Sequence, residues 1–293
     1  MAAETKGPAF HYRQAFLKKA AGDLKGAILE LEKAVQSRDS QISYIWKLTE
    51  LYYEDMQYEK AIERLEVLLS QDPRNQEYRK KKIEALRQLE RNYEALEEFE
   101  KGNELNPHDP EWLMEEAEFL HDAEKLGEAL DRITRAITLN PEKPDYRIAK
   151  ADVMLELEDT EGALNEVKEA IKAMPCNPDN YVLAAKLMDE LGMHEDAESH
   201  LLKAVELRPH EIVRYQDLSE HHEKMENFTK AIECHDRMIE LNPERAQLYF
   251  ERAGLKEETG DVKGAREDYR NALKLEPGNS QYRKRLEKLA ENP

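Results

Sequence analysis

The sequence predicts an all-α solenoid, in which one pair of helices is repeated along the chain. Proline and alanine each recur with a period of 34 residues, and the composition favours helix because only 11 glycines and 12 prolines occur among 293 residues. The proline series is Pro73, Pro107, Pro141, Pro175, Pro209, Pro243 and Pro277. The alanine series is Ala27, Ala61, Ala95, Ala129, Ala163, Ala197, Ala231 and Ala265. The alanine series predicts eight repeats.

Each repeat is predicted to contain two amphipathic helices, termed helix A and helix B, which are joined by a tight turn. In repeat 4 these helices are residues 111–123 and 127–141, where apolar side chains recur every three or four residues. Proline ends helix B and, in a second register, begins helix A. Glycine stands in the turn of three repeats, where a positive φ is convenient, at Gly22, Gly192 and Gly260.

The domain boundaries follow from the period. Eight repeats of 34 residues fill residues 8–279, which leaves an N-terminal extension at 1–7 and a C-terminal segment at 280–293. That segment begins where a ninth helix A is due. We expect it to be a capping helix, because Leu286 and Leu289 can cover the last repeat.

The first helix A also has the character of an end cap. His11, Gln14 and Lys18 stand at positions that are usually apolar inside a stack of helix pairs. We therefore expect this polar face to close the N-terminal end of the array.

These spacings resemble the tetratricopeptide repeat over essentially the whole chain. Numbered from residue 8, most repeats have a small residue at position 8, alanine at position 20 and proline at position 32. Repeat 1 departs from the pattern with Asp39 in place of the proline. Repeat 3 departs with Ile83 at the small position and Tyr93 one residue late, from which we expect a distorted turn. The resemblance implies a right-handed superhelix that binds another protein on the surface of its A helices.

Composition argues against several function classes. A net charge of -19 disfavours nucleic acid and membranes as partners, and no apolar run is long enough to span a bilayer. The chain has two cysteines, Cys176 and Cys234, and no secretory signal, so a reducing, cytoplasmic location is expected. No phosphate-binding loop, nucleophile elbow or zinc-protease motif occurs. We expect neither enzymatic activity nor a cofactor.

Repeat 7 contains candidate metal ligands at His221, His222, Cys234 and His235. His222 and His235 occupy the positions at which helix A usually packs on helix B, so core packing is the favoured interpretation and no metal is expected. A metal site remains the alternative. The basic run Arg79–Lys82 is interpreted as a solvated helix face, with a nuclear address or an anion patch as the alternative.

Two features of the A helices predict a binding groove. Position 5 is mostly apolar, with further aromatic residues in repeats 1 and 2, and acidic side chains predominate on the same surface from repeat 4 onward. Position 9 has no asparagine, so the family's carboxylate clamp is not matched. The predicted peptide contacts are Tyr12, Phe16, Trp46, Glu50, Tyr53, Met114, Glu118, Ile148, Asp152, Val182, Glu220 and Phe250.

We therefore expect a scaffold that binds a basic, partly apolar peptide or helix of another protein in this groove. The alternative function is a structural unit that forms homo-oligomers through its aromatic N-terminal end and its C-terminal helix. Tyr12 and Phe16 would then pack on residues 1–7 or on another copy of the chain.

Overall fold

The computed structural model describes residues 7–37 and 41–291, and this part of the chain contains α-helices and no β-strand. Residues 1–6, Asp39 and residues 292–293 lie outside the described residues. Within the described ranges, no helix is long and apolar enough to cross a bilayer. Internal contacts divide the chain into two halves, Met1–Leu139 and Asn140–Pro293, and each half is described by itself.

The N-terminal half contains repeats 1 to 4 as eight helices within the described residues. They are α1 (Pro8–Ala20), α2 (Leu24–Val35), α3 (Ile42–Glu54), α4 (Tyr58–Gln71), α5 (Gln76–Gln88), α6 (Asn92–Leu105), α7 (Pro110–Asp122) and α8 (Leu126–Leu139). Odd-numbered helices are helix A and even-numbered helices are helix B. Each helix packs on its neighbours in the chain, as in an α-solenoid.

The C-terminal half contains repeats 5 to 8 and one further helix within the described residues. They are α9 (Pro144–Glu156), α10 (Thr160–Ala173), α11 (Pro178–Glu190), α12 (His194–Leu207), α13 (Ile212–Lys224), α14 (Phe228–Leu241), α15 (Ala246–Glu258), α16 (Val262–Leu275) and α17 (Ser280–Glu291). The same alternation of helix A and helix B holds, so the predicted all-α solenoid class is confirmed.

Every repeat passes from helix A to helix B through one residue with positive φ at position 15. The predicted glycines adopt it with φ of 75–81°, at Gly22, Gly192 and Gly260. Other repeats use a residue with a side chain and φ of 54–61°, at Met56, Glu90, Glu124, Glu158 and Glu226. The expectation of a distorted turn in repeat 3 is therefore wrong, since Glu90 has the same positive φ as the residues at position 15 of the other repeats. Tyr93, whose late position suggested the distortion, is 83 % exposed.

The alanines at position 20 are buried on helix B. All eight have no exposed surface, so a larger side chain at this position would push the pair apart. The turn that precedes them is fixed by short polar caps in several repeats. The aspartates before α2, α10 and α16 accept a hydrogen bond from the backbone N–H three residues later, at 2.9–3.0 Å.

The contact between α6 and α7 depends on a glycine, which has no side chain beyond its hydrogen atom. Gly102 of α6 lies under the ring of Trp112, and a Cβ atom at Gly102 would come within 2.3 Å of the tryptophan ring. Nε1 of Trp112 donates a hydrogen bond to the carbonyl of Phe99 at 3.1 Å. Gly102 is therefore required for this repeat to pack on the next one.

Buried charge is a feature that the sequence analysis did not predict. Position 23 of helix B carries an acid in four repeats, at Glu30, Glu98, Glu166 and Asp268. Glu98 accepts from Arg79 and from Lys82 at 2.5 and 3.2 Å. Arg79 is 6 % exposed, so the interpretation of the run Arg79–Lys82 as a solvated face is wrong at its first residue. These acids tie helix B to helix A within a repeat.

The polar face of α1 takes part in the same kind of contact. Glu30 of α2 accepts from Nδ1 of His11 at 2.7 Å and from Nζ of Lys18 at 3.2 Å. The hydrogen bond from His11, with those from Lys33 and Lys18, lowers the pKa of Glu30 to about 2 although burial opposes the shift. His11 and Lys18 therefore bind a buried acid inside the repeat.

The last helix packs on repeat 8 through its apolar side chains. Tyr282 is 3 % exposed, and Leu286 and Leu289 are half-buried against the cluster of Ala253, Ala265 and Tyr269. The basic residues Arg283, Lys284, Arg285 and Lys288 are exposed. This placement agrees with what a capping helix requires, and its effect on stability stays a prediction.

Candidate binding cleft

A cleft of about 630 Å³ opens in the C-terminal half between the A helices α13 and α15, beside α14 and α17. Five glutamates line it, and Arg285 is the base among the lining side chains. The acids are Glu220, Glu223, Glu251, Glu257 and Glu258. A surface with this excess of one charge sign attracts cations and lowers the energy of a basic side chain placed in it.

The floor of the cleft is partly apolar, and it also contains the buried side chains of Ser219 and His235. Met238 is fully buried, Leu255 is nearly so, and Phe228 is half-buried at the edge. Gly254 also lines the cleft, and a Cβ atom added there meets nothing within 4 Å. Gly254 has no side chain and therefore leaves this part of the cleft open. Because it stands inside α15, it also lowers the stability of the helix by about 1 kcal/mol relative to alanine.

Hydrogen bonds hold several of the acids in position. Oγ of Ser219 donates to Glu223 at 3.0 Å, and the hydroxyl of Tyr269 donates to Glu257. Nε2 of His235 lies 3.5 Å from Glu251, and this contact lowers the pKa of Glu251 although burial opposes it. These contacts orient Glu223, Glu251 and Glu257, and the lowered pKa keeps Glu251 ionised at neutral pH.

The predicted aromatic contacts of the N-terminal half are mostly engaged with the neighbouring repeat. Tyr12 packs against Tyr44 with ring centroids 4.8 Å apart, and Trp46 packs against Tyr78 at 5.0 Å. All four side chains are buried or half-buried. Position 5 of one repeat thus lies on position 3 of the next, which leaves only part of each ring for a partner. Phe16 differs, with 66 % of its surface exposed.

Tyr53 and Glu50 complete the predicted N-terminal cluster. The hydroxyl of Tyr53 donates to the carbonyl of Lys81, and Nζ of Lys81 lies 4.0 Å from the centroid of the tyrosine ring. Burial raises the pKa of Tyr53, so its hydroxyl stays protonated. Glu50 pairs with Lys47 at 2.7 Å. Both residues face partners within the chain.

The acidic surface predicted from repeat 4 onward is partly neutralised in the N-terminal half. Lys80 pairs with Glu115 and Arg87 pairs with Asp122, so bases of repeat 3 cover these acids of repeat 4. Glu118, a predicted contact that lies between Glu115 and Asp122 in the sequence, is exposed. Met114, also predicted, is half-buried.

In the C-terminal half the apolar residues that were predicted to contact a peptide pack against other residues of this half. Val182 is 6 % exposed, so its side chain offers little surface to a peptide, which corrects its assignment as a contact. Ile148 packs against the same core cluster. The ring of Phe250 is 4.8 Å from that of Tyr282 of α17. Apolar residues at position 5 therefore join successive repeats.

The predicted acidic contacts of the C-terminal half are at the surface. Asp152 is exposed on α9, and Glu220 is exposed at the cleft, where it also pairs with Lys224 at 3.1 Å. Glu220 is thus the predicted residue that the structure places in the cleft. The other four cleft acids, Glu223, Glu251, Glu257 and Glu258, belong to the predicted acidic surface but are not among the predicted contacts.

The histidines of repeat 7 are buried, as the packing interpretation expects. Nδ1 of His235 lies 3.2 Å from Oγ of Ser219 and 3.1 Å from the carbonyl of Ala231. Cys234 packs in an apolar cluster, and burial raises the pKa of its thiol to about 12. His221 and His222 lie beside α12 instead, so the four side chains do not meet at one point.

Comparisons with known proteins identify the repeat. Models of the tetratricopeptide repeat match residues 178–211 and 218–291. A search of curated proteins finds no significant match.

Solved structures agree on the fold. The C-terminal part of a TPR repeat-containing protein from Cytophaga hutchinsonii is 15 % identical, and the match covers 83 % of this chain and 98 % of that one with a TM-score of 0.63. A structure of Naa15/Naa10 bound to HypK-THB is 17 % identical over 85 % of this chain and 39 % of that one, with a TM-score of 0.54.

Proposed function

Because the chain is a tetratricopeptide-repeat protein and hence has the fold of a protein-interaction scaffold, we propose that its cleft between α13 and α15 binds a basic, partly apolar segment of another protein. The proposal rests on one observation above all. Five glutamates surround a partly apolar floor, and Arg285 is the one lysine or arginine among the lining residues. Arginine or lysine side chains suit such a site, because their aliphatic stems cover apolar surface while their charged ends reach the acids.

A synthetic peptide can test this binding without knowledge of the natural partner. The probe is a fluorescein-labelled amphipathic peptide of leucine and arginine, and its control has glutamate in place of every arginine. We expect fluorescence polarisation to show binding of the basic peptide that weakens steeply with salt, and at least about tenfold weaker binding of the acidic one. Equal affinity for both peptides contradicts the proposal.

Charge reversal locates the binding. Glu220→Lys with Glu258→Lys changes two exposed acids of the cleft, while Glu244→Lys with Glu267→Lys makes the same change at exposed positions outside the cleft lining. The first pair should weaken probe binding about tenfold or more, chiefly through slower association. The second pair should change it little. Equal losses in both double variants would assign the affinity to net charge alone.

Filling the cleft provides a test that does not alter charge. Gly254→Leu places a side chain in open space at the cleft and replaces a helix-interior glycine, so it should raise stability while it abolishes probe binding. Gly127→Leu is the matched control, since a Cβ at Gly127 also meets nothing within 4 Å, outside the cleft. Unchanged probe binding by a stably folded Gly254→Leu variant would show that the peptide binds elsewhere.

Self-association is a second candidate function, favoured by exposed apolar side chains on α1. Phe10, Phe16 and Leu17 are 38 %, 66 % and 52 % exposed. We infer that these exposed side chains can contact another copy of the chain. Sedimentation velocity over a range of concentrations tests it: a sedimentation coefficient that rises with concentration, and that Phe16→Glu makes constant, supports a homo-oligomer. A constant coefficient in the parent protein rejects it.

We also infer that the protein acts in the cytoplasm and by binding alone. The support is the presence of two free cysteines, of which Cys176 is exposed, together with a repeat fold that generally serves protein interaction.

A further inference from the structure

Three ligand-bearing side chains converge at α12 and α13. Glu198, His221 and His222 each offer one ligand atom, and these atoms lie within 4.8 Å of one another. Nε2 of His222 is 3.9 Å from Oε1 of Glu198, and the centroids of the two imidazoles are 5.4 Å apart. The histidine side chains are 3 % and 5 % exposed and that of Glu198 is 29 % exposed. The cluster is therefore closed by protein on the histidine side and open to solvent at Glu198.

A fourth residue orients one of the imidazoles. Oδ2 of Asp189 on α11 lies 2.8 Å from Nδ1 of His221, and Oδ1 of the same carboxylate lies 3.0 Å from Nδ1 of His194. With Nδ1 of His221 donating to Asp189, its Nε2 carries the lone pair. In metal-binding histidines a carboxylate commonly accepts from one ring nitrogen, which leaves the other ring nitrogen as the ligand.

We propose that Glu198, His221 and His222 bind a divalent transition metal, for which Zn²⁺ is the best fit, with Asp189 as the residue that positions His221. Two imidazoles and one carboxylate form a ligand set that Zn²⁺ takes, and the fourth position is left to water. The proposal is separate from peptide binding in the cleft. It replaces the expectation of no metal, because the carboxylates come from repeat 6 and sequence spacing within repeat 7 does not reveal them.

The required rearrangement is small. Tetrahedral Zn²⁺ with bonds of about 2.0–2.1 Å keeps its ligand atoms about 3.3 Å apart. Atoms that lie within 4.8 Å of one another therefore close by about 1.5 Å at most. Glu198 is the most exposed of the three side chains, and rotation about its side-chain bonds brings its carboxylate toward the imidazoles.

The ammonium of Lys230 provides a further test of metal binding, because it contacts one of the proposed ligands. Nζ of Lys230 on α14 binds Oε1 of Glu198 at 2.5 Å, so the ammonium and the metal compete for one carboxylate. Removing that ammonium frees the carboxylate and removes a like charge. Metal affinity should therefore rise in Lys230→Met.

The test is titration of the chelator-treated full chain with Co²⁺, followed by its visible absorption, and with Zn²⁺ by calorimetry. We expect one equivalent to bind and Zn²⁺ to raise the melting temperature. Glu198→Gln should weaken binding at least about tenfold, and Asp189→Asn roughly 10- to 100-fold. Lys230→Met should tighten it.

Matched controls separate this site from adventitious binding and from unfolding. His210→Gln removes an exposed histidine of the same half and should leave the titration unchanged. Melting curves in the presence of EDTA should show that Glu198→Gln and Asp189→Asn remain folded. Failure of the parent protein to bind either metal overturns the proposal. It is equally overturned if folded Asp189→Asn and Lys230→Met bind as the parent does, which would indicate adventitious binding at surface histidines.

Discussion

The junction of α5 with α7 and the junction of α13 with α15 use the same repeat positions for opposite purposes. Between α5 and α7, position 5 of one helix A pairs with position 6 of the next, as Lys80 with Glu115. Position 12 likewise pairs with position 13, as Arg87 with Asp122. Each acid is therefore neutralised by a base that stands 35 residues earlier.

At the junction of α13 with α15 the acids remain but the bases are replaced. Gln216 stands at position 5 before Glu251, and Glu223 stands at position 12 before Glu258. All four residues line the cleft. The repeat thus fixes which positions meet, and the residue on the preceding helix A decides whether an acid is paired between repeats or is available to a partner.

The largest expected effect concerns a base of α5 that is not at the surface. Arg79→Met removes a cation from the buried Glu98, whose side chain is 5 % exposed. Breaking a buried ion pair costs about 3 to 5 kcal/mol, and we expect the lower value because Lys82 and Lys101 still bind Glu98. Urea denaturation measures the loss in free energy of unfolding.

Arg87→Met is the matched control on the same helix. Arg87 and its partner Asp122 are 51 % and 45 % exposed, so its loss should cost at most about 0.5 kcal/mol. Equal costs for Arg79→Met and Arg87→Met would contradict the distinction between buried and surface pairing.

The next effect tests whether the aromatic residues of the N-terminal half act in folding or in binding. Trp46→Ala removes a half-buried ring that packs against Tyr78, and it should lower the free energy of unfolding by about 2 kcal/mol. Binding of the basic probe should not change. If Trp46→Ala instead weakens the probe and leaves stability intact, the ring is a peptide contact and the cleft is not the main site. Phe16→Ala, at an exposed ring, is the control for stability.

Sequence spacing was sufficient for the fold because each column of the repeat has one physical role. Alanine at position 20 is fully buried in every repeat, so the period located all eight helix pairs. The turns were only partly predictable. Glu90 and Glu226 adopt the positive φ that a glycine in the sequence would predict. The geometry of the turn imposes this conformation on them, and no feature of the sequence indicates it.

The site was less predictable because periodicity tells which residues share a face but not how deeply a neighbour covers them. Tyr12 and Trp46 are on the expected face, yet the next helix A packs against both rings. Gly254 was a signal that could have located the cleft. It stands inside α15 at the position of Glu118 and Glu220, and a glycine in a helix interior is unfavourable unless space is needed there.

A third prediction converts the cleft to the pattern of the α5–α7 junction. Gln216→Lys with Glu223→Arg places bases opposite Glu251 and Glu258, as Lys80 and Arg87 stand opposite their acids. We expect the affinity for the basic probe to fall about tenfold, or about 1.4 kcal/mol, and its salt dependence to weaken. Unchanged affinity in fluorescence polarisation would show that the paired acids do not contact the probe.

The reciprocal change has the smallest expected effect. Lys80→Gln gives α5 the residue that α13 has at position 5 and leaves Glu115 without this base. The pair is exposed, with side chains 43 % and 37 % accessible, so the free energy of unfolding should change by no more than about 0.5 kcal/mol. Binding of the basic probe should rise at most about twofold at low salt, because Arg87 still covers Asp122 and α7 has Glu118 where α15 has the open Gly254. A tenfold gain in this single variant would mean that charge alone creates a site. The apolar floor and the open space at Gly254 would then be dispensable, and the difference between the two junctions would reduce to one lysine.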